Sequence, residues 1–166
     1  MKFLLGALAV FVLDQGIKWL VIRYMELGQS IPLIENVFHL TYVQNPGAAF
    51  GMLPYRTAFF IVVTVLVVGG IALYYRKIPP GRRWLKAGLT LQVGGALGNL
   101  ADRVRFGRVV DYLDFRVWPV FNLADIAIVT GVGLLILEMF KGDDTPRTKT
   151  EGEGEKNNES GSGRTA

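Results

Sequence analysis

Apolar residues in this chain are gathered into four runs, and polar stretches separate the runs. The runs extend from about Phe3 to Ile22, from Ala58 to Tyr75, from about Leu85 to Ala101 and from Phe121 to about Phe140. A helix that crosses a bilayer needs about 20 mostly apolar residues. The pattern therefore predicts an all-α membrane protein with four transmembrane helices.

The charges between the runs predict how the helices are oriented. Five cations fall in the short loop between the second and third runs: Arg76, Lys77, Arg82, Arg83 and Lys86. Loops rich in lysine and arginine face the cytoplasm. Lys2 and Lys141 fall on the same side as this loop when four helices are counted. We therefore expect both termini in the cytoplasm and the segments of about 23–57 and 102–120 outside it.

Two short stretches on the outer side have the pattern of strands. Residues 37–43 are rich in β-branched and aromatic side chains and end at the turn Asn45-Pro-Gly,. Residues 107–117 also look extended, so we expect a small extracytoplasmic β-sheet. The tail, residues 142–166, has almost no apolar side chains. It is expected to be disordered and separate from the membrane domain of residues 1–141.

The composition supports a membrane protein and narrows its chemistry. Of the 166 residues, 51% are hydrophobic, and the mean hydropathy is +0.33, which is too apolar for an ordinary soluble domain. The net charge of +4 comes largely from cations beside apolar runs, so we expect no nucleic-acid partner. The chain has no cysteine and one histidine, His39. These counts argue against a thiolate nucleophile and against a metal site, and no cofactor is expected.

Two aspartates stand where a charge is costly. Asp111 directly precedes the fourth run, and Asp125 lies inside it. An ionisable group at bilayer depth costs roughly 2.5–3.5 kcal/mol on insertion scales and marks a functional site by default. Pro119 allows the chain to turn back, so the two carboxyl groups can face each other near the outer membrane surface. Such a pair shares one proton, and one member acts as a base toward water while the other acts as an acid.

Each aspartate also has a structural interpretation. Asn122-Leu-Ala-Asp125 has the spacing of a capping box, in which the carboxylate completes a helix N-terminus. That role is compatible with catalysis, because a helix N-terminus favours the ionised carboxylate. For Asp111, the alternative is a solvated loop acid.

Further polar residues occur within the helical runs. Asn99 and Arg103 are four positions apart, so they share a helix face and can orient a carboxylate or a peptide carbonyl. Arg103 could instead pair with Asp102 or reach toward lipid headgroups. Asp14 and Lys18 form an i,i+4 pair of opposite charge. We interpret this pair as structural, because mutual neutralisation allows the first helix to enter the membrane.

Small residues recur at two places. Gly94 and Gly98 lie on one face of the third helix and predict close packing against a neighbour. The stretch Asn45-Pro-Gly-Ala-Ala-Phe50 is a polar turn that leads into small residues. An asparagine amide can donate to an oxyanion or hold a substrate backbone, and a simple turn is the alternative.

Taken together, five motifs in series resemble the family of bacterial lipoprotein signal peptidases, signal peptidase II. The motifs are Asp14-Gln-x-x-Lys18, Asn45-Pro-Gly-Ala-Ala-Phe50, Gly94-Gly-Ala-Leu-Gly-Asn-Leu-Ala-Asp-Arg103, Val109-Val-Asp111 and Phe121-Asn-Leu-Ala-Asp125. The resemblance runs in order from about Asp14 to Phe140.

The resemblance implies an aspartic endopeptidase of the bacterial inner membrane. It would remove signal peptides from prolipoproteins by cutting before a diacylglyceryl-modified cysteine, with Asp111 and Asp125 as the dyad that activates water. The implied lining of the substrate site is Asn45, Asn99, Arg103 and Asn122. Asp14 and Lys18 are implied as supports of the fold. The expected partners are lipid-modified prolipoproteins and membrane lipid, and the protein is expected to act as a monomer.

The substrate peptide bond must be reachable in such an enzyme. The small residues Ala48, Ala49 and Gly51 would leave room for it. The outer segments 31–53 and 107–117 would cover the site and move to admit the lipid.

Two other classes of protein are compatible with the polar residues. A transporter would use Asp14, Lys18 and the aspartate pair as a proton relay. However, four helices leave little room for a conduit, and the charges gather at one membrane face. A scaffold subunit would use the polar residues only to hold helices together, which leaves the pairing of Asp111 with Asp125 unexplained.

Overall fold

A computed structural model describes residues 2–47 and 56–141 of the chain, and these residues form a helical bundle with one small sheet. The helices are α1 (Lys2–Tyr24), α2 (Thr57–Tyr75), α3 (Arg83–Phe106) and α4 (Leu123–Phe140). The strands are β1 (Ser30–Ile34), β2 (Phe38–Asn45) and β3 (Val109–Asp114). The helices lie on the four predicted apolar runs.

Three of the described helices, α1, α2 and α4, are long and apolar enough to cross a membrane. The remaining helix, α3, is more polar and carries charged residues near both of its ends: Arg83, Lys86, Asp102, Arg103 and Arg105. It contacts α1, α2 and α4, so it occupies the middle of the bundle. Polar side chains on α3 can therefore lie between helices and avoid the lipid.

Glycines on α3 allow its close contact with α1 and α4, as the sequence predicted for Gly94 and Gly98. A Cβ atom on Gly94 would lie 2.8 Å from the carbonyl oxygen of Ala7 on α1. A Cβ atom on Gly95 would collide with the carbonyl oxygen of Ala124 at the start of α4. Backbone atoms cannot move aside as flexible side chains do, so these positions set the spacing between helices.

The antiparallel sheet has the order β1-β2-β3 and packs on one end of the bundle, here called the sheet end. A hydrophobic cluster joins the sheet to α1: Val21, Met25, Tyr42, Val110 and Tyr112. The prediction of strands within 37–43 and 107–117 is confirmed, but β1 was not predicted. All five residues of β1 are exposed, and it contains Pro32, so it lacks the alternating pattern that marks a strand.

Two predicted features lie outside the described residues. They are the small residues Ala48, Ala49 and Gly51, and the tail of residues 142–166. Part of the expected covering segment, residues 48–53, lies outside them as well.

Candidate active site

A cavity of about 720 Å³ opens at the sheet end, between the sheet, α3 and the start of α4. Its polar residues come from β2, α3, β3 and α4: Asn45, Asn99, Arg103, Asp111 and Asp125. Apolar side chains also line it: Phe115, Trp118, Val120, Ile126 and Val129. The structure thus brings together five of the residues that the sequence placed in one site.

Asp111 is a nearly buried carboxyl group with two hydrogen-bond donors. It lies on β3 opposite Val43 and is 3% exposed. Its Oδ2 accepts a hydrogen bond from Nδ2 of Asn45 at 3.0 Å, and its Oδ1 accepts one from Nδ2 of Asn122 at 2.6 Å. Burial and the neighbouring carboxylate of Asp125 raise the pKa of Asp111 to about 7,. Asp111 can therefore gain or lose a proton near neutral pH.

Asp125 lies in the first turn of α4, where backbone N–H groups lack helical partners. The predicted capping box is confirmed. Oδ1 of Asn122 accepts from the backbone N–H of Asp125 at 3.0 Å, and Oδ2 of Asp125 accepts from the backbone N–H of Asn122 at 3.2 Å. Oδ1 of Asp125 accepts from Nδ2 of Asn99 at 2.8 Å. Because Asp125 also lines the cavity, capping and a chemical role coexist in one residue.

Asn122 connects the two carboxyl groups. Its Nδ2 donates to Oδ1 of Asp111 at 2.6 Å and lies 3.1 Å from Oδ1 of Asn99. Since Asn99 donates to Asp125, one network of hydrogen bonds joins Asp111 to Asp125. The sequence placed Asn122 in the lining of the site. The structure instead places it, fully buried, one layer behind the lining, where it orients both aspartates.

This arrangement is suited to general acid–base chemistry. Because the pKa of Asp111 is about 7, the pair can hold one proton near neutral pH, so that one carboxyl group serves as an ionised base and the other as a protonated acid. The cavity that both groups line has room for a peptide segment and a water molecule.

Arg103 points toward the cavity and does not pair with Asp102. Its Nη2 donates to the carbonyl oxygen of Gly47 at 3.1 Å, and its guanidinium lies 4.9 Å from the ring centre of Phe60 on α2. Asp102 pairs with Lys18 instead. Arg103 therefore fixes the turn after β2 and brings a positive charge to the cavity.

The predicted pair of Asp14 and Lys18 is confirmed, and it has a third member. Lys18 Nζ lies 2.9 Å from Oδ2 of Asp14 and 2.8 Å from Oδ2 of Asp102, and all three side chains are buried. The sequence analysis did not assign this role to Asp102. The signal that could have found it is its position, because Asp102 is an acid that directly follows the third apolar run.

The apolar side of the cavity was also missed. Phe115, Trp118 and Val120 belong to the connection between β3 and α4. This connection has neither helical nor strand periodicity, so spacing alone does not indicate which side chains turn inward.

The raised pKa of Asp111 predicts a pH-dependent gain in stability for Asp111→Asn. Between the ordinary value of 3.8 and about 7, the folded protein holds a proton that the unfolded chain releases, so the wild type loses stability as pH rises through this window. Asparagine does not titrate in this window, so the variant does not lose stability in this way as the pH rises. Melting temperatures in detergent should therefore show the variant gaining on the wild type from pH 4 to pH 7, by at most a few kcal/mol of unfolding free energy.

Asp111→Asn also removes an acceptor for the amides of Asn45 and Asn122, and this lowers the stability of the variant by a similar amount at every pH. The informative quantity is therefore the change of the difference in melting temperature with pH. A difference in melting temperature that is constant between pH 4 and pH 8 would contradict the raised pKa of Asp111.

The fold and this cavity define the chain as a membrane protein with a pair of carboxyl groups, one buried and one half-buried, at one end of its bundle. The comparison with known families is specific: the model of the peptidase family described as signal peptidase (SPase) II matches residues 6–141. The chain belongs to the signal peptidase II family, which confirms the resemblance seen in the motifs. It is a bacterial membrane protein of the protease class.

Relatives and solved structures agree with this assignment. The lipoprotein signal peptidase of Halothermothrix orenii is 57% identical over 135 residues, which cover 81% of this chain and 92% of the relative. That of Pelotomaculum thermopropionicum is 51% identical over 140 residues, with 84% and 92% covered. A solved bacterial membrane enzyme is 30% identical with a TM-score of 0.80 over 92% of this chain and 94% of that chain. A second is 31% identical with a TM-score of 0.77 over 84% and 93%.

Proposed function

We propose that this chain is an aspartic endopeptidase that removes signal peptides from lipid-modified prolipoproteins, cutting before the lipidated cysteine. The observation that carries the proposal is the position of Asp111 and Asp125 on the wall of one cavity. The family of the chain supports peptidase activity. Its relatives carry the name lipoprotein signal peptidase, which supports prolipoproteins as the substrate class.

In the proposed reaction, water attacks the scissile carbonyl carbon directly. The ionised carboxylate takes a proton from the water, and the protonated carboxyl group gives its proton to the carbonyl oxygen. The tetrahedral intermediate then collapses as the departing amine receives a proton from the dyad. The pKa of Asp111, about 7, supports this scheme, because it keeps one carboxyl group protonated near neutral pH.

The other polar residues of the cavity would hold the substrate. Asn45 donates to Asp111 from the turn after β2, so it can also meet a peptide beside that carboxyl group. Arg103 offers a cation to a peptide carbonyl on the side of α3. The apolar lining, which includes Trp118 and Val129, would contact the signal helix and the acyl chains of the substrate.

We place four helices across the bacterial inner membrane, with both termini in the cytoplasm and the cavity at the outer face. The packing of α3 against the other three helices supports its role as the fourth span. The cations of the loop between α2 and α3 lie at the end opposite the sheet. We further propose that residues 1–141 act as a monomeric peptidase domain for which the tail is dispensable.

A cleavage assay with purified protein tests the proposed activity. A prolipoprotein carrying the diacylglyceryl group should release its signal peptide when mixed with the protein in detergent or nanodiscs. The same precursor without the lipid is the control and should be cut far more slowly, because the acyl chains no longer contribute to binding. Intact lipidated precursor together with proton flux into protein-containing vesicles would support the transporter instead.

Cysteine labelling tests the orientation, because the chain has no cysteine of its own. In intact spheroplasts, a membrane-impermeant maleimide should label Ser30→Cys in the exposed strand β1. It should label Lys77→Cys in the cationic loop only after lysis. The reverse pattern would contradict the orientation.

A further inference from the structure

Lys18 is a buried ammonium group with every donor occupied. It is 2% exposed, and its Nζ contacts Oδ2 of Asp14 at 2.9 Å, Oδ2 of Asp102 at 2.8 Å and Oδ1 of Asn99 at 2.9 Å. An ammonium has three N–H donors and no acceptor. Three acceptors therefore satisfy it completely.

The contact with Lys18 fixes the orientation of the Asn99 amide. Because the ammonium can only donate, the Asn99 atom that faces it must be the carbonyl oxygen. Nδ2 of Asn122 lies 3.1 Å from the same oxygen. The amide nitrogen of Asn99 is then left to face Oδ1 of Asp125 at 2.8 Å. Lys18 thus determines that Asn99 presents a donor to Asp125.

The acids bound to Lys18 also hold the backbone beside each aspartate of the cavity. Oδ1 of Asp14 accepts from the backbone N–H of Ala124 at 3.0 Å, one residue before Asp125. Oδ2 of Asp102 accepts from the backbone N–H of Val110 at 3.1 Å, one residue before Asp111. The buried charges on α1 and α3 therefore reach both members of the pair.

The two aspartates differ in what supports a negative charge. Asp125 accepts from a backbone N–H at a helix N-terminus and from an amide polarised by the ammonium of Lys18,. Asp111 lies on a strand without a helix dipole and accepts from the side-chain amides of Asn45 and Asn122, and Lys18 acts on it only through space, as the smallest of the named influences on its pKa. Burial and the charge of Asp125 raise the pKa of Asp111 to about 7, so Asp111 can hold a proton near neutral pH.

Building on the proposed function, we propose that Lys18 is a positioning residue that, through Asn99, keeps Asp125 ionised as the base and leaves the shared proton on Asp111 as the acid. The titratable and charged groups around the pair come from α1, α3 and β3: Asp14, Lys18, Asp102, Arg103 and Tyr112. Among them, Lys18 alone donates to the amide that contacts Asp125.

The pH profile of kcat/KM tests this role, because its limbs report the ionisation of the essential base and acid. In Lys18→Met the low-pH limb should move to higher pH by about one unit, since the pair of aspartates loses the ammonium that offsets its negative charge. Lys18→Arg retains the charge and should stay closer to the wild-type profile. Lys141→Met, at the opposite end of the bundle, is the matched control and should leave both limbs in place.

A second variant covers the case in which Lys18→Met does not fold. Lys18→Met with Asp102→Asn keeps the net charge of the buried cluster and should show the same displaced limb. If neither variant folds, the infrared carboxyl stretch of the wild type decides. The protonated carboxyl band at pH 6 should lose intensity in Asp111→Asn, and an unchanged band would overturn the proposal.

The outcomes separate this inference from the proposed function. Cleavage by Asp111→Asn or Asp125→Asn would refute the dyad itself. If cleavage by the wild type requires both aspartates but a folded Lys18→Met keeps both limbs of the pH profile in place, only the role of Lys18 is refuted. A purely structural lysine would lower the amount of active enzyme without displacing the pH profile.

Discussion

Asp111→Asn and Asp125→Asn should each abolish release of the signal peptide from a lipidated prolipoprotein. Asparagine cannot exchange a proton in this pH range, so either substitution removes the base or the acid. General acid–base catalysis contributes roughly 10²–10⁴-fold per group, and we expect a loss of at least that size. Single-turnover cleavage, followed by mass spectrometry of the released peptide, measures it.

Asp114→Asn is the matched control for these variants. Asp114 lies on β3 with Asp111 and is also buried, but it accepts from Thr41 and from the backbone N–H of Arg116, and those groups hold its pKa below the usual value. Its substitution should lower the melting temperature and leave cleavage close to wild type at temperatures where the protein is folded. Equal losses in all three variants would indicate general damage to the sheet end.

Gly95→Ala should disrupt both stability and activity. The added methyl group would collide with the carbonyl oxygen of Ala124, the residue before Asp125, and force α3 and α4 apart. Overpacking of this kind costs about 1–3 kcal/mol. A displacement of Asp125 by about 1 Å would lower the rate on the order of 10²-fold. Melting temperature and single-turnover rate should therefore fall together.

Gly133→Ala provides the control for this substitution. Gly133 lies on α4, and a Cβ atom there would have no neighbour within 4 Å. Its replacement should keep the wild-type rate and raise helix stability by up to about 1 kcal/mol. A Gly95→Ala protein that behaves like Gly133→Ala would show that the contact with Ala124 does not set the position of Asp125.

The sequence predicted the helices because each apolar run has the length of a bilayer span. It predicted Asp111 and Asp125 because carboxyl groups in such surroundings are costly and need a purpose. The capping box around Asp125 and the pair of Asp14 with Lys18 were also predictable, since both depend on spacing along one helix.

The sequence does not show how deeply a side chain is buried, or which residues far apart in the chain are in contact. The spacing of Asn122 indicates a helix cap, but only the folded structure shows that it lies behind the cavity and donates to Asp111 on β3. The link from Lys18 to Asp102 joins α1 to α3, and no local pattern encodes it. The strand β1 escaped prediction because it is exposed along its whole length.

The most direct test of the central claim is the residual single-turnover rate of four proteins: the wild type, Asp111→Asn, Asp125→Asn and the double variant. If the two carboxyl groups act as one unit, each single variant should lose nearly all of the rate, and the double variant should lose little more, because groups that act together are strongly non-additive. Near-wild-type cleavage by either single variant, or losses that multiply in the double variant, would contradict it.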